Sequence, residues 1–291
     1  MSEFCAERAA LRGDPMLGTA FPAARLLLVE QPGAWGSDAG LSGSRFGPLS
    51  DAVERAAHTA GMRVETIRRP GRSNADGPLR WAVVDTRDGH EGIAWGTYES
   101  PAGLLASVRA GEAPGPPSTE PIFLVCTHGK HDPCCAMRGR PVAAALEQRC
   151  PGRVFECSHL GGDRFAANVL VLPSGLLYGQ VPPASIESLV AAAEADEVLA
   201  PMLRGRIGLP PAAQAALAYA LDHLQLRART SLSVVDSSPV TDGMATVRLR
   251  GQGGEYEVDV AVDTVAADGL TCANPRPNRY LRFRPLTVRP A

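Results

Sequence analysis

Residues 122–168 read IFLVCTHGKHDPCCAMRGRPVAAALEQRCPGRVFECSHLGGDRFAAN and carry most of the reactive side chains of this sequence. Five of the seven cysteines and three of the six histidines lie in this stretch. They are Cys126, Cys134, Cys135, Cys150 and Cys157, together with His128, His131 and His159. Thiol and imidazole groups gathered this closely indicate metal binding or thiol chemistry.

The hydrophobic pattern of the stretch predicts a strand, a helix and a second strand. Residues 122–125 form a short apolar run of the kind that makes a buried strand, which would end at Cys126. Helical spacing of apolar residues begins at Pro133, a residue suited to the first turn of a helix. Residues 153–157 predict the second strand, and residues 159–163 the loop that leaves it. This order brings five candidate ligands to one end of a sheet: Cys126, Cys135, Cys157, His159 and Asp163.

The spacing of the cysteines excludes one type of redox site but does not identify the metal or cofactor. Cys126 and Cys135 are too far apart for the C-x-x-C motif of thioredoxin-like redox sites. Cys134 and Cys135 lie at a predicted helix N-terminus, where the helix dipole favours a thiolate. Two C-x-H pairs, at 126–128 and 157–159, offer donors that suit zinc as well as an iron–sulfur cluster.

Several short motifs resemble the sucrase/ferredoxin-like family. They are Cys-Thr-His-Gly at 126–129 with Asp132 and Cys135, Ser-His-Leu-Gly-Gly at 158–162, and Arg-Phe-Ala-Ala-Asn at 164–168. Residues 27–36 and 175–179 extend the resemblance over roughly the first two thirds of the chain. The resemblance implies a thioredoxin-like ferredoxin that carries a 2Fe–2S cluster.

The resemblance also implies most of the ligand set. The family's two cysteines, which have eight residues between them, and its first loop histidine correspond to Cys126, Cys135 and His159. This chain has Asp163 where a second histidine is expected, and Cys157 where a serine is usual. Because thiolates are the common ligands of such clusters, we expect the set Cys126, Cys135, Cys157 and His159, with Asp163 as the alternative fourth ligand. The remaining cysteines and histidines of the stretch are expected to be core or loop residues.

The order of predicted elements indicates an α/β fold made of two tandem thioredoxin-like units packed together, followed by a small α+β C-terminal domain. The predicted units are residues 1–118 without a cluster, 119–200 with the cluster, and 201–291. Strand, loop, helix and strand occur in each of the first two, but the first loop, at 31–36, has no cysteine or histidine. Such alternation also recurs in unrelated α/β proteins.

The final segment differs in kind and ends in a basic stretch. A helix at 210–224 precedes strands at 231–235, 244–250 and 256–262, and Cys272 follows in a loop that is not expected to hold a ligand. The basic residues are Arg276, Arg279, Arg282, Arg284 and Arg289. They predict a solvated strand edge, or alternatively a docking surface for an acidic redox partner.

Composition places the chain among soluble globular proteins. Its formal net charge is -2, with 45% hydrophobic and 21% charged residues, so no nucleic acid or membrane partner is expected. The sequence shows no apolar run of about 18 residues and no signal-peptide pattern, and its clustered cysteines are odd in number. A cytoplasmic location is therefore expected.

Together these features favour a soluble electron carrier with one 2Fe–2S cluster over a catalyst. Its partners would be redox donor and acceptor proteins that the sequence does not identify. Two alternatives stay open: a zinc-stabilised structural module, and a thiol-based redox enzyme that uses Cys134 and Cys135. Sugar hydrolysis is least favoured, because the sequence presents no assignable carboxylate pair or Ser/His/Asp set.

Overall fold

The chain folds into mixed α/β structure around one large sheet. A computed structural model describes residues 4–37, 40–41, 46–71, 78–112 and 114–291. Within these ranges, ten strands form a mixed sheet and four more form a separate antiparallel sheet. No helix in these ranges is long and apolar enough to cross a membrane.

After a short first helix, the N-terminal half contributes four strands to the large sheet and two helices that pack on it. The elements are α1 (Cys5–Arg12), β1 (Arg25–Glu30), α2 (Ser50–Thr59), β2 (Arg63–Arg68), β3 (Leu79–Asp85), β4 (Gly92–Tyr98) and α3 (Pro101–Ala110). Strand β1 pairs parallel with β2 and antiparallel with β3, which pairs antiparallel with β4. Helices α2 and α3 pack on one face of these strands.

The next segment has the same strand order. Its elements are β5 (Pro117–Ser118), β6 (Ile122–Cys126), α4 (Pro133–Arg149), β7 (Val154–Cys157), β8 (Val169–Leu172), β9 (Leu176–Tyr178), α5 (Ile186–Glu194) and β10 (Leu203–Arg206). Strand β6 pairs parallel with β7 and antiparallel with β8, which pairs antiparallel with β9. Strand β10 adds an outer antiparallel partner to β9.

The two halves meet where β2 pairs antiparallel with β7. Only the last residues of each strand pair, Ile67 with Cys157 and Arg68 with Glu156. The carboxyl ends of both parallel pairs therefore come together at the middle of one continuous sheet, β10-β9-β8-β6-β7-β2-β1-β3-β4-β5. Each half covers a strand edge that would otherwise be exposed in the other.

Residues of β6 alternate between two buried faces, because neighbouring side chains of a strand point to opposite sides. Phe123 and Val125 pack with α4 and α5, whereas Leu124 and Cys126 enter the core on the other face. That second core includes residues from both halves, such as Leu28 and Phe155. Burial on both faces explains why these strands read as unbroken apolar runs.

A helix lies on an antiparallel sheet in the final segment. The elements are α6 (Pro211–His223), β11 (Leu232–Ser237), β12 (Met244–Gly251), β13 (Gly254–Ala267) and β14 (Asn278–Pro290). The alanines of α6 allow close packing on this sheet. The basic tail forms β14, where Arg282 and Arg284 pair with Asp263, and Arg289 pairs with Glu257.

Candidate metal centre

Strand β6 and helix α4 place two thiols side by side. Strand β6 ends at Cys126, and a loop leads to Asp132, whose carboxylate caps α4 by accepting the N–H of Cys134 at 2.9 Å. Pro133 occupies the first helical position, so Cys135 lies in the first turn of α4. The sulfurs of Cys126 and Cys135 are hydrogen-bonded to one another.

The loop after β7 adds an imidazole and a carboxylate. Gly161 and Gly162 have φ of +72° and +69°, which L side chains rarely adopt, and they turn the chain back on itself. Asp163 thereby returns to His159, with 3.5 Å between Oδ1 and Nδ1. The same Oδ1 lies 3.4 Å from Sγ of Cys135. Four side chains named from the sequence thus meet here: Cys126, Cys135, His159 and Asp163.

Cys157 occupies a different position beside this group. It is in register with Cys126 on the neighbouring strand, so both thiols lie on the same face of the sheet. Its side chain is fully buried, and burial raises its pKa well above the ordinary value. Its assignment as a ligand stays a prediction.

His131 also belongs to the group, although the sequence indicated only a loop residue. Its ring centroid lies 4.1 Å from that of His159, and its Nε2 lies 3.8 Å from Oδ2 of Asp163. The sequence signal was an H-x-x-H spacing at 128–131, directly followed by Asp132. His128 lies beside His131, with 5.7 Å between their ring centroids, but its Nε2 lies 2.8 Å from the carbonyl oxygen of Gly36.

Burial and charge within the group differ from one side to the other. Cys126, Cys135 and Asp163 are buried, whereas the side chains of His131 and His159 are 33% and 21% exposed. The hydrogen bond from Cys135 and the nearby imidazole of His159 hold the pKa of Cys126 well below its usual range. The same hydrogen bond raises the pKa of Cys135, and burial raises that of Asp163. The group therefore shares protons that a bound metal ion would displace.

The donor chemistry fits a thiophilic metal or an iron–sulfur cluster. Two thiols and one imidazole are ligand types common to both, and a carboxylate can complete the set. Nδ1 of His159 is buried without a hydrogen-bond partner among the described residues. Buried polar atoms are ordinarily paired, so this nitrogen is available as a ligand.

A buried arginine, Arg204 of β10, holds the loop that carries His159. It is 1% exposed and donates to the carbonyl oxygen of Gly161 at 2.7 Å and to Oδ1 of Asn168 at 2.8 Å. It also donates to both oxygens of Thr19. Burial lowers the pKa of Arg204 to about 9, which leaves the guanidinium charged at neutral pH. No motif in the sequence marked this residue.

The N-terminal half supports the same loop. Arg63 donates to the carbonyl oxygen of His159 at 2.8 Å, and the N–H of Ser158 donates to Thr66 at 3.0 Å. Trp35 packs edge-on against His128 with 5.6 Å between ring centroids. His159 lines a cleft of about 820 Å³ between this loop and α2. Residues without ligand chemistry of their own thus position those that have it.

Gly139 allows α4 to approach the end of β6. A Cβ at this position would overlap the carbonyl oxygen of Cys126 and come within 3.3 Å of the Thr127 side chain. The sequence signal was a glycine inside a predicted helix, which costs stability unless close packing requires it.

We expect Gly139→Ala to lower the free energy of unfolding by about 1–3 kcal/mol, because overpacking outweighs the gain in helix propensity. Gly103→Ala in α3 is the matched control, since Gly103 is an exposed helical glycine with only Ser100 Oγ near the added Cβ, at 3.4 Å. The control should be neutral or gain up to about 1 kcal/mol. Chemical denaturation measures both, and equal effects would contradict the close-approach role of Gly139.

We expect Arg204→Lys to lower the free energy of unfolding by about 3–5 kcal/mol, because an ammonium group cannot reach all the acceptors that the guanidinium joins. Amide hydrogen exchange across residues 159–163 should accelerate. Arg206→Lys is the control, because Arg206 is a buried arginine of the same strand that contacts Ser174, Thr86 and Asp88 instead. If both variants accelerate exchange in the loop equally, the cause is a general loss of stability, and Arg204 does not specifically hold the loop.

Comparison with known proteins agrees with these features. The family model described as sucrase/ferredoxin-like matches residues 16–205, more than half of the chain. No curated protein matches significantly. A thioredoxin-like [2Fe-2S] ferredoxin from Aquifex aeolicus is 21% identical, covering 32% of this chain and 97% of the ferredoxin at a TM-score of 0.28. A variant of that ferredoxin with one cysteine replaced by serine is 23% identical, covering 28% and 96% at a TM-score of 0.26.

Structural likeness of that extent does not by itself assign a function. The match to the family model is independent of this structural likeness. The matched residues include the strands, helix and loops that carry Cys126, Cys135 and His159. The chain therefore belongs to the sucrase/ferredoxin-like family.

Proposed function

We propose that this chain is an electron-transfer protein of the ferredoxin type that carries one 2Fe–2S cluster with mixed cysteine and histidine ligation. One observation carries the proposal: two buried thiols, a carboxylate and an imidazole whose buried Nδ1 makes no hydrogen bond among the described residues converge where β6, α4 and the loop after β7 meet. A cluster of this type accepts and passes single electrons.

Cys126, Cys135 and His159 are the three proposed ligands with contacts to one another or to Asp163. For the fourth position the contacts favour Asp163, because its Oδ1 lies 3.4 Å from Cys135 and 3.5 Å from His159. Cys157 remains the other candidate, since it adjoins Cys126 on the same sheet face and thiolates are the more common ligands.

The surrounding residues hold this site in place and influence its electrostatics. Arg204 fixes the ligand loop through Gly161 and Asn168, and Asn168 donates to the carbonyl oxygen of Gly162 at 3.1 Å. A buried cation close to Asp163 and Cys126 favours added negative charge, which supports acceptance of an electron. Burial of the thiols keeps water away from them.

The partly exposed histidines mark the side on which redox partners would dock. His131 and His159 are the members of the group that reach solvent, and His159 opens on the cleft next to α2. Exposed Lys130 directly precedes His131 in the loop before α4. An electron donor or acceptor protein bound on this side would lie close to the proposed ligands, because His131 and His159 reach the surface here.

We also propose that residues 1–118 and 119–200 are two thioredoxin-like units, and that the small C-terminal domain expected at 201–291 begins after β10, which lies in the large sheet. The common strand order of the first two segments supports the duplication, and the α6-covered antiparallel sheet supports the third. The first unit acts as a scaffold through Arg63, Thr66 and Gly36, which contact the loops of the second.

The full-length protein purified without oxygen should be red-brown, contain about two iron and two sulfide ions per chain, and bleach with dithionite. Cys126→Ser and Cys135→Ser should each remove the colour, whereas Cys134→Ser should retain most of it, because its sulfur faces away from Asp163. Cys150→Ser is the control, as Cys150 contacts the Leu146 carbonyl oxygen at the far end of α4. A colourless protein whose zinc is lost on Cys126→Ser would identify a zinc module instead.

The fourth ligand is tested by a matched pair of variants. Asp163→Ala should lose iron, whereas Cys157→Ser, in which a buried hydroxyl replaces the thiol, should keep the wild-type iron content and visible spectrum. Asp163→Cys should restore iron with a changed spectrum, since a thiolate replaces the carboxylate. Retention of iron by Asp163→Ala together with its loss from Cys157→Ser would assign the fourth position to Cys157.

A further inference from the structure

A second group of thiols lies on the other side of the α4 N-terminus. Cys5 opens α1, Cys134 lies in the first turn of α4, and Cys272 lies in the loop between β13 and β14. Sγ of Cys134 is 3.5 Å from Sγ of Cys5 and 3.4 Å from Sγ of Cys272. Three segments that are remote in sequence thus deliver one thiol each to the same point.

The carboxylate of Asp132 completes this group. It is fully buried and lies 3.7 Å from Sγ of Cys5. It also accepts the backbone N–H groups of Cys134 at 2.9 Å and Cys272 at 2.7 Å, so it fixes the segments that carry two of the thiols. An ionised carboxylate has about four lone-pair sites, so one N–H bond to each oxygen leaves lone pairs for a ligand role.

The spacing of the four donors matches one tetrahedral metal ion. Zinc–sulfur bonds of about 2.3 Å place the sulfurs of a tetrahedral site about 3.8 Å apart. The donor atoms of Cys5, Asp132, Cys134 and Cys272 all lie within 4.8 Å of one another. A two-iron cluster spreads its ligands over two metal ions and needs more widely separated pairs.

Helix termini and backbone N–H groups favour negative charge at this point. Both α1 and α4 begin at the group, so their positive dipole ends face the thiols. The N–H of Cys5 donates to Sγ of Cys272 at 3.3 Å, and the N–H of Ala6 donates to Cys134. Thiolates bound to a metal are stabilised by such N–H groups.

We propose that Cys5, Cys134 and Cys272, with Asp132 as the fourth ligand, bind one zinc ion. Three of the four side chains are buried and Cys272 is partly exposed, as in closed structural sites with four protein ligands. The ion joins the N-terminal helix, the start of α4 and the long loop of the C-terminal sheet. Its role is structural, and it holds the C-terminal sheet against the unit that carries the first site.

The second site is separate from the first, although Cys134 and Cys135 are adjacent in sequence. Cys134 packs with Cys5 and Ala166, whereas Cys135 packs with Cys126 and Leu160. Either site can therefore be present when the other is absent, and the zinc proposal does not rest on the proposed electron transfer.

Metal analysis of the full-length protein grown with zinc tests the proposal. The wild-type chain should hold about one zinc ion, and Cys5→Ser and Cys272→Ser should each reduce zinc to near zero while iron is unchanged. Cys126→Ser should keep the zinc, and the control Cys150→Ser should keep both metals. Absence of zinc from the wild type, or its loss only on Cys126→Ser, would overturn the proposal.

A second measurement covers the case in which Cys5→Ser does not fold. Growth of the wild-type protein with cobalt should give intense thiolate-to-cobalt absorption, which Cys272→Ser, at a partly exposed loop position, should weaken. Zinc removal by a chelator should accelerate hydrogen exchange across residues 268–277. Unchanged absorption in Cys272→Ser would rule the site out. A disulfide that links Cys134 to Cys5 or Cys272 and persists when the protein is purified with a reducing agent would also rule it out.

Discussion

The buried carboxylate of Asp132 is the contact on which both thiol groups of this protein depend. It caps α4, and the cap fixes the direction in which the first turn leaves the loop after β6. Because Cys134 and Cys135 are consecutive in that turn, their side chains point to different sides. One thiol reaches Cys5 and Cys272, and the other reaches Cys126 and Asp163. The cap thereby helps to set the position of both thiols.

The continuous sheet gives the two halves different tasks. Pairing of β2 with β7 brings the carboxyl ends of both parallel strand pairs together, so the loops that follow them touch. The second half supplies the thiols, the imidazoles and the carboxylate. The first half supplies carbonyl oxygens, an aromatic ring and the guanidinium of Arg63. The same strand order therefore occurs in both halves, but the reactive side chains lie in the second half and the first half supports them.

The prediction of strand, loop, helix and strand across residues 122–168 agreed closely with the structure, because strong apolar periodicity and a proline mark the boundaries of these elements. Helix α3 and strand β10 were not predicted. Strand β10 reads Leu-Arg-Gly-Arg, a polar pattern, and its charges are buried only because distant carbonyl and carboxylate groups satisfy them. Local sequence does not contain those partners.

The sequence alone determined the family, the alternation of strands and helices, and the candidate residues Cys126, Cys135 and His159, because these depend on local spacing and on short motifs. Only the tertiary structure decided which further side chains join them. It brought His131 and Asp163 to the first group, and it gathered Cys5, Cys134 and Cys272, which are too far apart in sequence to form a recognisable motif. Such contacts depend on how helices and strands that are distant in sequence pack together. That packing depends on the shapes of their interacting surfaces, which cannot be deduced from a local sequence pattern.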